Sequence, residues 1–117
     1  MWIRIKDLRL RAIIGIEEWE RKNKQDLIIN VELEFDGAAA ARSDSIDDSV
    51  NYKSITKAII REVEGSSHQL LERLADRILQ IVMEDERVIR SVVEVDKPHA
   101  LRFADSVSMT VTGERAP

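Results

Sequence analysis

The alternation of apolar and polar residues in "DLIINVELEF", from Asp26 to Phe35, constrains the fold more than any other feature of the chain. A period of two is the pattern of a β-strand that buries one face and exposes the other. A single strand cannot cover its own apolar face, so the chain must supply a sheet and a covering layer. The predicted buried face consists of Leu27, Ile29, Val31, Leu33 and Phe35.

Three further segments show the alternation of strands. The first covers Trp2 to Ile14, with a slip in phase at Lys6-Asp7 that predicts a β-bulge. The other two cover about residues 90–97 and 106–113, near the C-terminus. The polar segment from Gly15 to Gln25 is predicted to be a long hairpin loop between the first two strands.

Two amphipathic helices are predicted between the second and third strands. The first covers about residues 51–64, with Gly65 expected at its C′ position. The second covers about residues 70–84, and its apolar side chains follow the spacing of one helix face. The apolar stripes of the two helices are Ile55, Ala58, Ile59 and Val63, then Leu71, Leu74, Ala75, Ile78 and Val82.

The element order ββααββ predicts an α+β fold, in which a four-stranded antiparallel sheet carries two helices on one face. The length of 117 residues fits a single domain, residues 1–117. Such a sheet leaves two open edges and one uncovered face, and these favour association. We therefore expect a homo-oligomer in which sheets continue between subunits.

Composition excludes several classes of function. The absence of Cys excludes disulfides, thiolate metal sites and cysteine nucleophiles. A formal net charge of −4 argues against a general nucleic-acid binder. The two histidines lie far apart, so no metal site is expected, and the four scattered glycines form no phosphate-binding loop. No apolar run approaches the ~20 residues that span a bilayer, so we expect no membrane partner and a cytoplasmic location.

A cluster of potentially cationic residues follows the third strand, where Lys97, His99 and Arg102 surround Pro98. The residue before a proline is held in an extended conformation, so Lys97 is expected at the strand's end. A lysine that acts as a base must be neutral, and burial or a nearby cation would favour that form. The residues alone leave open whether Lys97 is catalytic or simply solvated at the end of a strand.

Three other side chains are candidates with equally open alternatives. Glu72, in the first turn of the second helix, suits a ligand with two parallel N–H donors, but also suits the helix dipole. Tyr52 at the start of the first helix suits stacking on a planar ligand, but also ordinary packing. Glu20 has no feature in the sequence that distinguishes it from an ordinary glutamate of a polar loop.

Four motifs, in this order, resemble the dihydroneopterin aldolase family: "IGIEEWE" followed by Gln25, then "VNYKSI", "LLERLAD" and "DKPHALRFADSVSMT". The resemblance spans nearly the whole chain. It implies the tunnelling fold (T-fold), in which the sheets of four subunits close into a barrel and two rings can stack, giving a tetramer or an octamer. It also implies active sites between neighbouring subunits.

The resemblance implies a role for each candidate residue. Glu72 would anchor the amino-pyrimidinone edge of a pterin, with main-chain groups near Leu71 and Asn51 completing the contacts. No metal, Schiff base or other cofactor is implied, because the dihydropterin ring itself accepts the electrons. The implied catalytic residues are Lys97, Tyr52 and Glu20.

Two reactions of the family share their first step, cleavage of the C1′–C2′ bond. An aldolase releases glycolaldehyde for folate synthesis, whereas an epimerase re-forms the bond with C2′ inverted. The stretches "NKQDLIIN" and "HALRFADSVSMT" most resemble members that epimerise dihydroneopterin triphosphate, while many aldolases carry small residues after the lysine-proline pair. A ring that binds a pterin without catalysis is a third alternative. The expected phosphate contacts are His99 and Arg102, helped by Lys22 or Lys24.

Overall fold

The chain folds in the predicted order ββααββ, with two short helices added in the connections. The structure is a computed structural model that describes residues 1–116, so the last residue of the predicted domain, Pro117, lies outside it. A 3₁₀ turn covers Ile46–Asp48. The other elements are β1 Trp2–Ala12, α1 Glu18–Lys22, β2 Gln25–Phe35, α2 Ala38–Ser43, α3 Tyr52–Glu64, α4 Leu71–Met83, β3 Val88–Lys97 and β4 Val107–Glu114.

The four strands form one antiparallel sheet in the order β1-β2-β3-β4. The predicted bulge in β1 is confirmed, because the pairing with β2 shifts by one residue between Ile5 and Leu8. Asp7 occupies the bulge at a φ of 52°, and its backbone amide donates a 2.8 Å hydrogen bond to Asn30 Oδ1. The bulge absorbs this extra residue, so the apolar side chains of both halves of β1 lie on the inner face.

The core lies between the inner face of the sheet and the two long helices. The five predicted inner-face residues of β2 are all buried. The predicted helix stripes also face the core, although Ala58 and Leu71 are only partly buried. The inner-face side chains of the two edge strands are less covered than those of β2. These partly buried residues are Ile3, Ile5 and Leu8 of β1, with Met109 and Val111 of β4.

Two details of the connections differ from expectation. The segment from Gly15 to Gln25 is not all loop, because α1 forms within it and Gln25 already begins β2. Helix α1 is short and begins with a capping box between Glu17 and Glu20, which replaces an apolar face as its source of stability. Gly65 ends α3 with a φ of −90°, so it does not use the left-handed conformation typical of a C′ glycine.

The two ends of the sheet carry different elements. Helix α4 is joined to β3 by only four residues, 84–87, so its first turn lies at the end of the sheet where β3 finishes with Lys97. We call this the Lys97 end. The first turn of α3 lies at the opposite end, where Asn51 and Ile55 line a surface cavity with Glu84. None of the helices in residues 1–116 is long and apolar enough to cross a membrane.

Candidate active site

A buried ion pair marks the Lys97 end of the sheet. The Lys97 ammonium donates a hydrogen bond to Glu20 Oε2, and the two side chains are only 12% and 9% exposed. Every other ion pair within residues 1–116 is more exposed than this one. Burying two charges is costly unless they pair and their remaining hydrogen-bonding groups are satisfied. The pair therefore needs, and has, a supporting shell.

Further donors reach the Glu20 carboxylate from two sides. The backbone amide of Glu17 donates to Oε1 at 3.2 Å, and the Gln25 side-chain amide donates to Oε2 at 2.9 Å. Burial by itself would raise the pKa of Glu20. The hydrogen bonds from Lys97, Gln25 and Glu17 outweigh burial and lower that pKa from 4.5 to about 2. Glu20 is therefore a carboxylate throughout the neutral range.

Gly15 makes room for this carboxylate. Its φ is +123°, a conformation that residues with a side chain rarely adopt. A Cβ atom at this position would lie 2.2 Å from Glu20 Cδ. Glycine is thus required both by the turn that ends β1 and by the close approach of Glu20.

Arg21 ties α1 to the segment that precedes α4. Its guanidinium donates to the backbone carbonyls of Gly15, His68 and Ser67 at 3.0, 3.1 and 2.6 Å. The Gly15 amide also donates to the His68 carbonyl at 3.3 Å. These bonds hold Glu20 and the start of α4 at the same end of the molecule.

Three of the predicted site residues fall at the Lys97 end together with Glu20. Lys97 is the last residue of β3, as expected, but the charge nearest its amine is a carboxylate rather than a cation. Leu71 and Glu72 form the first turn of α4, and the Glu72 side chain is exposed. An exposed carboxylate at this position is open to a ligand that lies against the helix start.

The other predicted ring contacts lie at the far end of the same chain. Asn51 caps α3, where its Oδ1 accepts a 3.2 Å hydrogen bond from the Ser54 amide, and Tyr52 is half exposed beside it. Strand β3 has ten residues, so the two ends are separated by about 30 Å. One chain therefore does not bring Tyr52 to Lys97.

The turn after β3 separates the two residues that were predicted to contact phosphate. His99 lines a groove together with Arg11 and Lys24. Arg102 is exposed, and its guanidinium lies 5.6 Å from the centre of the Phe103 ring. Lys22, the other helper considered, pairs with Glu18 at 3.3 Å within α1. His99 and Lys24 therefore share a surface, and neither Arg102 nor Lys22 is among the residues that line it.

Sequence reasoning missed the residues that position Glu20. Gly15 and Arg21 were not singled out, and Gln25 was noted only as part of a motif. One local signal was available, since Glu17 and Glu20 have the three-residue spacing of a capping box, with Glu in place of the usual Ser or Thr at the N-cap. Within residues 1–116, the His, Asp and Glu side chains form no group of three that could hold a metal ion. The arrangement is suited to moving protons next to a bound organic molecule.

Comparison with known proteins gives a consistent picture. The dihydroneopterin aldolase (FolB) family model matches residues 3–112. A dihydroneopterin triphosphate 2′-epimerase from Pseudomonas aeruginosa is 54% identical over 113 residues, covering 97% of this chain and 92% of the relative. An Escherichia coli protein of the same name is 49% identical, with coverage of 97% and 94%.

The fold also matches solved structures. An E. coli dihydroneopterin aldolase, solved in complex with neopterin, superposes with a TM-score of 0.91 and is 26% identical. The match covers 97% of this chain and 98% of the aldolase. The four-stranded antiparallel sheet with its helices is therefore the subunit fold of this aldolase.

The ionised state of Glu20 is expected to contribute to stability in a defined range of pH. Because the folded-state pKa lies below 4.5, the contribution is fully present above about pH 4.5 and is lost as the pH falls to about 2. Glu20→Gln mimics the protonated side chain. In urea denaturation the wild type should exceed Glu20→Gln by on the order of 3 kcal/mol near pH 7, converging with it near pH 2.

The matched control is Glu18→Gln, which changes an exposed residue of the same helix and should alter the free energy of unfolding little at any pH. A difference between wild type and Glu20→Gln that stayed constant from pH 7 to pH 2 would contradict the assigned role of the carboxylate.

Proposed function

The chain belongs to the dihydroneopterin aldolase family, and we propose that it is a 2′-epimerase that converts 7,8-dihydroneopterin triphosphate into dihydromonapterin triphosphate. Relatives named for this activity are 54% and 49% identical, whereas the aldolase solved with neopterin is 26% identical. The observation that carries the chemistry is the buried pair of Lys97 and Glu20 at the same end as the first turn of α4.

The proposed reaction breaks and re-forms one carbon–carbon bond. The 2′-hydroxyl loses its proton, and its O–H electrons form the C2′ carbonyl. The C1′–C2′ electrons form a double bond between C1′ and the ring carbon, while the π electrons of the ring C=N bond move to its nitrogen, which gains a proton. The phosphorylated aldehyde then turns its other face to C1′, and the reverse steps re-form the bond with C2′ inverted. No electrons are gained or lost overall, so the scheme needs no redox cofactor.

Lys97 is the proposed proton-transfer residue, assisted by water and by Tyr52 of a neighbouring subunit. Its Nζ lies at the end of a rigid strand, which favours a well-defined position relative to a substrate. Glu20 is poorly suited to being the base, because a carboxylate with a pKa of about 2 holds a proton weakly near neutral pH. Its role in the proposal is to orient Lys97.

Binding of the pterin is assigned to the start of α4. The exposed Glu72 carboxylate can accept two parallel N–H bonds from an amino-pyrimidinone edge, and backbone groups near Leu71 extend that contact. The substrate is a phosphorylated metabolite, so we place the enzyme in the cytoplasm.

A homo-oligomer, tetramer or octamer, is part of the proposal. Strands β1 and β4 each pair on one side only within residues 1–116. Their inner faces carry partly buried apolar residues, including Ile5 and Val111, which further strands would cover. Assembly would also bring Tyr52 and Asn51 of one subunit to the Lys97 end of another, which a single chain cannot do. Closing the sheets into a barrel removes both open edges.

The alternative within the family is aldol cleavage of dihydroneopterin. The lower identity to the aldolase disfavours it as the main activity, and a weak side activity is compatible with the shared first step. A ring without catalysis is disfavoured because Glu20, Tyr52, Glu72 and Lys97 are all present.

Product analysis distinguishes these functions. Purified protein incubated with 7,8-dihydroneopterin triphosphate is expected to give the C2′-inverted triphosphate, resolved by chromatography after dephosphorylation. Dihydroneopterin without phosphates, tested in parallel, should be cleaved slowly. Hydroxymethyl-dihydropterin as the main product from both substrates would favour the aldolase. Unchanged substrates would favour a ring that binds a pterin without catalysis.

Substitutions at the two ends of the proposed site should separate binding from chemistry. Lys97→Ala is expected to lower kcat by about 100-fold or more while changing the Kd for dihydroneopterin only modestly. Glu72→Gln should raise that Kd by about tenfold or more, because it removes a charge-assisted double hydrogen bond. Kinetics and titration calorimetry measure the two effects.

Asp76→Asn, on an exposed residue one turn along α4, is the control for Glu72→Gln and should leave the Kd unchanged. Turnover retained in Lys97→Ala would remove Lys97 from the mechanism, and an unaltered Kd in Glu72→Gln would remove the anchoring role of Glu72.

Sedimentation equilibrium tests the assembly. The expected mass is four or eight times the 13.4 kDa of one chain at micromolar concentration. A species of 13.4 kDa with full activity would contradict a site shared between subunits.

A further inference from the structure

We infer that Arg11, Lys24 and His99 bind the phosphate chain of the substrate, in a groove beside the Lys97–Glu20 pair. The inference rests on the proposed function, because it requires a phosphorylated substrate. It adds Arg11, a residue of β1 that the sequence did not single out, and it does not assign a main phosphate contact to Arg102.

The groove consists of two adjoining cavities of about 320 and 200 Å³. Arg11, Asp26 and His99 line both cavities, so the two form one continuous surface. Arg9 lines the larger cavity and Lys24 the smaller one. Strand β1, the start of β2 and the turn after β3 therefore meet around a single opening.

The charge of this groove opposes that of the protein as a whole. The basic residues Arg9, Arg11 and Lys24 share the lining with a single carboxylate, that of Asp26. The chain itself carries a formal net charge of −4. A local excess of positive charge on an acidic protein favours an anionic ligand at this place and disfavours it elsewhere.

Two contacts within the protein orient the guanidinium of Arg11. Its Nε pairs with Asp26 Oδ1 at 3.1 Å, and its Nη2 donates to the Lys24 carbonyl at 3.1 Å. These contacts orient the planar guanidinium and use only part of its five N–H donors. Donors that remain are suited to phosphate oxygens, which a fixed guanidinium can bind in pairs.

Gln25 connects the groove to the proposed chemistry. It lines the smaller cavity, and its side-chain amide donates to Glu20 Oε2, the atom that accepts the Lys97 hydrogen bond. In the proposed reaction the phosphates are attached to the fragment that leaves as an aldehyde. A groove next to the proton-transfer pair would retain this fragment after cleavage, which is what distinguishes an epimerase from an aldolase.

Steady-state kinetics of Arg11→Ala tests the inference. The KM for dihydroneopterin triphosphate is expected to rise about tenfold or more, because charge-assisted hydrogen bonds to phosphate are lost. The KM for dihydroneopterin should stay within about twofold of wild type. Cleavage products should also increase relative to the epimer, because the aldehyde escapes more often. Equal KM values for the triphosphate in wild type and Arg11→Ala would overturn the inference.

Arg4→Ala is the matched control. Arg4 also lies on β1, and it pairs with a β2 carboxylate, Glu32, at 3.2 Å, but it lines neither cavity of the groove. It should leave both KM values unchanged. Lys24→Ala, in the exposed segment before β2, repeats the test without altering the sheet and should raise only the KM for the triphosphate. An unchanged KM for the triphosphate in Lys24→Ala would overturn the assignment of Lys24 as a phosphate contact.

Calorimetry with inorganic tripolyphosphate separates this inference from the proposed function. If wild type fails to convert the triphosphate, the epimerase assignment fails. The binding of tripolyphosphate then tests by itself whether the groove binds phosphate. Binding to wild type that is lost in Arg11→Ala and kept in Arg4→Ala supports the groove. Binding that is absent from wild type, or equal in all three proteins, overturns it.

Discussion

An ammonium group and a carboxylate held together away from solvent, Lys97 with Glu20, impose requirements on much of the surrounding structure. Desolvating both charges is tolerated because they pair and because Gln25 and the Glu17 amide satisfy the rest of the carboxylate. Gly15 supplies the space, and Arg21 fastens the short helix to the segment before α4. What looks like an irregular loop in the sequence is therefore a scaffold for one carboxylate.

The distribution of the candidate residues has a physical logic of its own. A sheet about 30 Å long holds the pair of Lys97 and Glu20 at one end and Tyr52 at the other, so one chain does not bring them together. The same sheet has two edges that pair on one side only within residues 1–116, each backed by half-covered apolar side chains. In the proposed assembly, covering those edges and completing the site are a single event, so stability and activity would depend on the same contacts.

Much of the fold was predictable from the sequence because it depends on local periodicity. The alternation in β2, the bulge in β1 and the stripes of α3 and α4 are confirmed, with boundaries that differ by two residues or fewer. Family membership is confirmed as well, because the motifs extend over nearly the whole chain. Helix α1 was missed because its five residues include a single apolar side chain, that of Trp19, and therefore form no apolar stripe; only its capping box indicated a helix.

The site was predictable only in part, for a different reason. Glu20 and Lys97 are 77 residues apart, and no local pattern states that they meet. The groove around Arg11 depends on the pairing of β1 with β2 and on the path of the turn after Pro98. Contacts of this kind follow from register and topology, so they become visible only when the strands are placed side by side.

The bulge at Asp7 determines which residues along the rest of β1 face the core. Before it, odd-numbered residues such as Ile3 and Ile5 face the helices, whereas after it even-numbered residues such as Leu8 and Leu10 do so. A regular strand would turn the two arginines of the groove toward the core and two leucines toward water. The bulge thus absorbs one inserted residue and keeps the same face of β1 toward the core along the whole strand.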